Sequence, residues 1–157
     1  MRKFTVRDLT FAAAVAALYA VLGYFGDIFG LTFGAVQFRF AEALTVLPFL
    51  FPAAAPGLAI GCLIVNLASP VGPLDIVFGT LATAVAAWLT MKMPRWYLAA
   101  LPPILVNLLV LPPIWAWNCL TFAIGEAVVC YVLGTLLLKA LPRVPAFRPI
   151  LRTQVKD

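Results

Sequence analysis

Seven polar side chains interrupt stretches that are otherwise almost wholly apolar. They are Gln37, Arg39 and Glu42 in VQFRFAEALTVLPFLFP, Asn66 in GCLIVNLASP, Asp75 in GPLDIVFGTLAT, Asn107 in LPPILVN and Glu126 in IGEAVVCYVLG. Carboxylates only accept hydrogen bonds, amides both donate and accept, and a guanidinium only donates. A set with these members suits recognition of a donor-rich or cationic solute. Around it the acids Asp27, Glu42, Asp75 and Glu126 face one base, Arg39, a balance that favours a cation over an anion.

Chemical turnover is less well supported. The chain has no histidine, which removes imidazole acid–base chemistry and the commonest metal ligand. Cys62, Cys119 and Cys130 lie far apart in apolar runs, without CxxC or metal-ligand spacing, and read as small buried hydrophobes. No metal site is expected. An intramembrane enzyme with Glu42 and Glu126 as acid and base is one alternative to solute binding. A membrane scaffold that transports nothing is another.

Each polar residue also has a structural reading. Arg39 and Glu42 stand i,i+3 and can neutralise each other. Asp75 and Asn118 can cap helix starts, and Asn66 and Asn107 can join neighbouring helices. Glu126 is the exception, because no basic residue lies within one helical turn of it. A carboxyl group unpaired at that depth is costly, so ligand contact is its better explanation.

The surroundings of these residues define the class of protein. The chain is 157 residues long, 64% hydrophobic and 11% charged, with net charge +5 and mean hydropathy +1.06. Soluble domains carry roughly 25% charged residues, so an integral membrane protein is expected. The basic residues sit at segment ends and not in one patch, which argues for a membrane surface and against nucleic acid. The N-terminal run MRKFTVRDLTFAAAVAALYAVLG has the outline of a signal peptide. A retained first helix is simpler, since the downstream chain is equally apolar.

Apolar runs between breakers predict an all-α bundle of six transmembrane helices: Leu9–Phe25, Val36–Phe51, Gly57–Ala68, Leu74–Met91, Trp96–Leu111 and Cys119–Leu141. The third is short enough to form, with the second, a hairpin that does not fully cross. Pro48 and the Pro102–Pro103 pair fall inside predicted helices and should bend them. Residues 1–141 form the membrane domain, and 142–157 a basic tail on the cytoplasmic side. Six crossings place Arg2, Lys3, Arg7, Lys92, Arg95, Lys139, Arg143, Arg148, Arg152 and Lys156 on one side, ten of the eleven basic residues. By the positive-inside rule that side, with both termini, is cytoplasmic. Glu42, Asn66, Asp75, Asn107 and Glu126 then collect in the outer half.

Three smaller features complete the expectations. Thr5 and Asp8 have capping-box spacing. Ala12, Ala16 and Ala20 recur every four residues, as do Ala13 and Ala17, making a smooth stripe for close helix approach. Tyr24, Phe25, Phe29, Phe33, Phe38, Phe40, Trp115 and Trp117 cluster at the outer side. The two tryptophans suit an interfacial belt, and one or two of the others could stack on a flat ring.

The blocks VQFR…EAL, GCLIVN…LDIVFGTLAT, LPPILVN and IGEAVVCYVLG resemble the QueT family of membrane proteins, from the first helix to about Leu141. That family looks like the substrate-binding S component of energy-coupling factor (ECF) transporters. The resemblance implies six helices, an extracellular-side site for a queuosine precursor of the 7-aminomethyl-7-deazaguanine class, and a bacterial cell-membrane location. It also implies docking, through the alanine stripe of Ala12, Ala16 and Ala20, to a membrane scaffold subunit with two cytoplasmic ATPases. This chain has no GxxxxGK[ST] loop, so ATP would be hydrolysed by those partners and no cofactor is expected here. S components share one fold across unrelated vitamins, so another vitamin or a purine-like solute remains an alternative ligand.

Overall fold

The computed structural model describes residues 5–32, 38–70, 72–110 and 119–145, with side chains in the last stretch from residue 123. Every regular element among these is helical. α1 (Val6–Ile28) opens with the expected capping box: the Thr5 hydroxyl accepts from the Asp8 N–H, and the Asp8 carboxylate accepts from the Thr5 N–H. A 3-10 segment (Phe40–Phe49) follows, then α2 (Ala54–Asn66). A π-helical turn (Asp75–Gly79) leads into α3 (Thr80–Thr90), and a short 3-10 turn (Trp96–Leu98) precedes α4 (Leu101–Val110). The last rod is α5 (Cys119–Val128), a π-helical stretch (Val129–Gly134) and α6 (Thr135–Ala140).

These elements make six rods packed in alternating directions. α2 runs parallel to α1, because Gly57 meets Ala12, Gly61 meets Ala16 and Tyr19, and Gly23 meets Val65. The 3-10 segment runs the other way, with Phe40 beside Gly26 and Phe51, just past its end, against Phe11 at 5.1 Å between ring centroids. Val6–Ile28 and Ala123–Arg143 are each long and apolar enough to cross a membrane. The rods Phe40–Phe49, Ala54–Asn66, Asp75–Thr90 and Trp96–Val110 are apolar but shorter. Outward-facing Val21, Phe25, Leu81, Leu109 and Leu136 are more than half exposed, as expected of side chains facing lipid.

Three expectations change. The second rod, expected as a helix over Val36–Phe51, is a 3-10 helix over Phe40–Phe49, with residues 36 and 37 outside the described stretch. Pro48 supplies no N–H, and the Thr45 hydroxyl bonds the Glu42 carbonyl at 2.6 Å, supporting an i,i+3 turn. At ~2.0 Å rise per residue, ten residues cover ~20 Å instead of ~15 Å. Pro102 and Pro103 do not bend the interior of a helix either. The fifth rod breaks before them, and they occupy the first turn of α4, where the N–H groups would lack helical partners anyway.

The third change concerns the alanine stripe. Ala12 and Ala16 are 5% and 6% exposed, covered by α2. A Cβ on Gly57 would come within 2.2 Å of the Ala12 carbonyl oxygen, and one on Gly61 within 2.9 Å of that of Ala16. Glycine at both positions allows the two backbones to touch. Ala12 and Ala16 therefore close the bundle from within, and Ala20 is half-buried. On α1 the exposed alanines are Ala13, Ala14 and Ala17.

Candidate functional site

Polar residues from every rod meet in the interior. Glu42, Asn66, Asp75, Asn107 and Glu126 are each at most 2% exposed, and Arg39 is 7% exposed. They divide into two groups.

The first group joins the start of the 3-10 segment to α2 and the head of α3. Asn66, the last residue of α2, is its hub. Its Oδ1 accepts from Arg39 Nη2 at 3.1 Å, and its Nδ2 donates to the Asp75 carbonyl at 3.0 Å and to Cys62 Sγ at 3.3 Å. Asp75 Oδ2 accepts from Ser69 Oγ at 2.6 Å and lies 3.8 Å from Arg39 Nη2. Thr83 Oγ1 donates to Cys62 Sγ at 3.2 Å. Gly79 makes room for this network, since a Cβ there would sit 2.8 Å from both Asn66 Nδ2 and Asp75 Oδ1. The wide turn Asp75–Gly79 is where α3 opens around the cluster; such turns are common at functional sites.

The second group joins α1, the 3-10 segment, α4 and the last rod. Glu42 Oε1 accepts from the Tyr19 hydroxyl at 2.6 Å, and Glu126 Oε1 accepts from Asn107 Nδ2 at 2.5 Å. The two acids lie within electrostatic range of each other. Cys130 Sγ reaches the Glu42 carbonyl at 3.5 Å, tying the second π-helical stretch to the 3-10 segment. Glu42 Oε2 and Glu126 Oε2 are both buried without a hydrogen-bond partner among the described residues. Buried polar atoms are normally satisfied, so two orphaned carboxyl oxygens in one interior region mark where donors are missing.

The structure thus brings Arg39, Asn66 and Asp75 into one hydrogen-bonded network, while Tyr19–Glu42 and Asn107–Glu126 are two further buried pairs, with Arg39 also within electrostatic range of Glu42. Gln37 and Asn118 lie outside the described residues, as do Phe33, Trp115 and Trp117. Tyr24, Phe25 and Phe29 face outward, at 39%, 52% and 62% exposed, and the Tyr24 hydroxyl bonds the Ile64 carbonyl. They offer no interior stacking surface. Phe38 and Phe40 are half-buried.

Sequence reasoning missed Tyr19, Ser69, Thr45 and Thr83, and it undervalued two cysteines. Cys62 and Cys130 are buried free thiols, as expected of small hydrophobes, but both also take part in the polar network. A lone tyrosine in an alanine-rich helix gives no sign that its hydroxyl will find a carboxylate. Its burial against Gly61 emerges only when α2 is in place.

Comparison with known proteins adds a family. The family model described as QueT transporter matches residues 9–143. The curated queuosine precursor transporter QueT of Lactococcus lactis subsp. cremoris (strain MG1363) is 33% identical over 85 residues, which is 54% of this chain and 50% of that protein. The matched region thus spans about half the length of that relative. No solved structure matches.

Proposed function

The chain belongs to the QueT transporter family, a family of transport proteins and not of enzymes, and we propose that it is the substrate-binding membrane subunit of an ECF-type uptake transporter. Its substrate is a queuosine precursor of the 7-aminomethyl-7-deazaguanine class. It crosses the cell membrane six times with both termini cytoplasmic, and it binds its solute in the half of the bundle opposite the basic residues.

The observation that carries this reading is the pair of orphaned oxygens, Glu42 Oε2 and Glu126 Oε2. A deazaguanine presents a ring N–H beside an exocyclic amine, which one carboxylate accepts bidentately. Its aminomethyl cation calls for a second acid. Two buried carboxyl groups with acceptor capacity to spare match both demands. Asn107 holds Glu126 in place and Tyr19 holds Glu42. Arg39, Asn66 and Asp75 brace the site from the other side. The Lactococcus relative, a queuosine precursor transporter, agrees with this substrate class.

Energy comes from elsewhere. The partner is a membrane scaffold subunit carrying two cytoplasmic ATPases. With Ala12 and Ala16 covered by α2, the edge of α1 offered to that scaffold is the exposed line of Ala13 and Ala17.

The test is thermal stabilisation of the purified chain by a panel of deazapurines, purines and vitamins. Binding to the folded state raises the melting temperature by linkage. The aminomethyl-deazaguanine should stabilise, guanine should not, and Glu126→Gln should remove the effect. Stabilisation by a vitamin alone would overturn the substrate. Uptake in vesicles lacking the ATPases would overturn the partnership.

A further inference from the structure

A groove of about 520 Å³ runs along the outside of the bundle, away from the polar interior. α1 forms one wall with Leu18, Leu22 and Phe25. Leu133, Leu136 and Ala140 form the other, and the 3-10 segment is the floor. Its lining residues are without exception apolar, so water or a polar solute gains nothing by entering.

Both walls lead to an arginine. On α1, Arg7 is eleven residues before Leu18, a displacement of only about 20° around the helix, so it lies on the groove's face one end further along. On the last rod, Arg143 stands three residues beyond Ala140. Both arginines are exposed. The end of the bundle that bears them also carries cations seated on aromatic rings: Lys92 Nζ is 3.5 Å from the Trp88 ring centroid and Lys139 Nζ 4.7 Å from that of Trp96. Tryptophan with Lys or Arg is the pattern found at headgroup level. Among the described residues the one acid near this end of α1 is Asp8, which is engaged by Thr5.

We infer that the groove is a binding site for one anionic phospholipid, an acyl chain lying between α1 and α6 and the headgroup phosphate held by Arg7 and Arg143. The apolar lining matches an acyl chain, and the two guanidinium groups complement the phosphate. A surface cation near an anionic headgroup contributes roughly 1 kcal/mol. Two of them give a preference for anionic over zwitterionic lipid of roughly ten- to thirty-fold.

The full chain, purified in detergent, is mixed with dioleoyl phosphatidylglycerol or dioleoyl phosphatidylcholine, and retained lipid is counted by native mass spectrometry. One phosphatidylglycerol should be retained per chain, with that preference. Arg7→Gln with Arg143→Gln should make the two lipids equivalent. Ala140→Trp, which fills the groove at an exposed position, should reduce retention of both. Circular dichroism melting shows that each variant is folded. Equal retention of the two lipids by the unaltered chain, or a preference surviving both arginine substitutions, overturns the proposal. So does unchanged retention in Ala140→Trp. If no lipid is retained and Ala140→Trp instead breaks a dimer or a complex with a membrane partner, a protein helix fills the groove and the inference fails.

Discussion

The two halves of the polar interior are built from the same kinds of side chain and reach opposite states. Around Asn66, a guanidinium, a carboxylate, an amide, a hydroxyl and a thiol from four parts of the chain hold one another at 2.6 to 3.8 Å. Around Glu42 and Glu126, two carboxyl groups have, among the described residues, one side-chain donor each and one oxygen left over each. The first network braces the bundle through side chains already paired, whereas the second, on the function proposed above, is completed by a donor-bearing solute. Asp75, Glu42 and Glu126 are comparably buried, yet the described residues supply them with different sets of donors.

Several substitutions test that division. Arg39→Met should have the largest effect, because it leaves Asp75 without its cation. Breaking a buried pair from one side costs about 3–5 kcal/mol, read as a large fall in melting temperature or loss of monodisperse protein. A variant that melts like the parent would break the distinction at its root. Glu126→Gln should do the reverse, leaving the melting temperature of the empty protein nearly unchanged. A hydrogen bond to a charged group contributes about 1.5–3 kcal/mol, so affinity for the aminomethyl-deazaguanine should fall roughly ten- to a hundred-fold, measured by titration calorimetry.

Gly79→Ala sharpens the boundary. Its new Cβ would press on Asn66 and Asp75, and overpacking costs about 1–3 kcal/mol. That should appear in the melting temperature and only secondarily in affinity. Tyr19→Phe should be mildest, at about 0.5–1.5 kcal/mol. It removes one donor from Glu42 while keeping the ring that packs on Gly61, so affinity should change by up to about tenfold with little loss of stability.

Much of this was legible in the sequence, for identifiable reasons. Apolar runs separated by prolines located six rods, because runs of that length and composition have few other ways to fold. The isolated polar residues were conspicuous for the same reason, and all the described ones proved to be interior. How they would divide was not legible. Arg39 and Glu42 stand three apart, a spacing equally compatible with mutual pairing and with separate partners on other rods. The wide turns Asp75–Gly79 and Val129–Gly134 end at glycines where neighbours from other rods crowd any side chain, a tertiary feature that no local pattern announces. The alanine stripe on α1 marked a place for close helix contact but not whose helix would fill it.

The contact of α1 with α2 also constrains how the protein is made. Ala12 and Ala16 find their partners, Gly57 and Gly61, only after some forty further residues have left the ribosome. Domains begin to fold as they are synthesised, but this interface cannot form while α1 and the 3-10 segment are the sole parts made. The Tyr19 hydroxyl and Glu42 carboxyl can find each other before that, but Tyr19 gains the cover of Gly61 only when the third rod has been made.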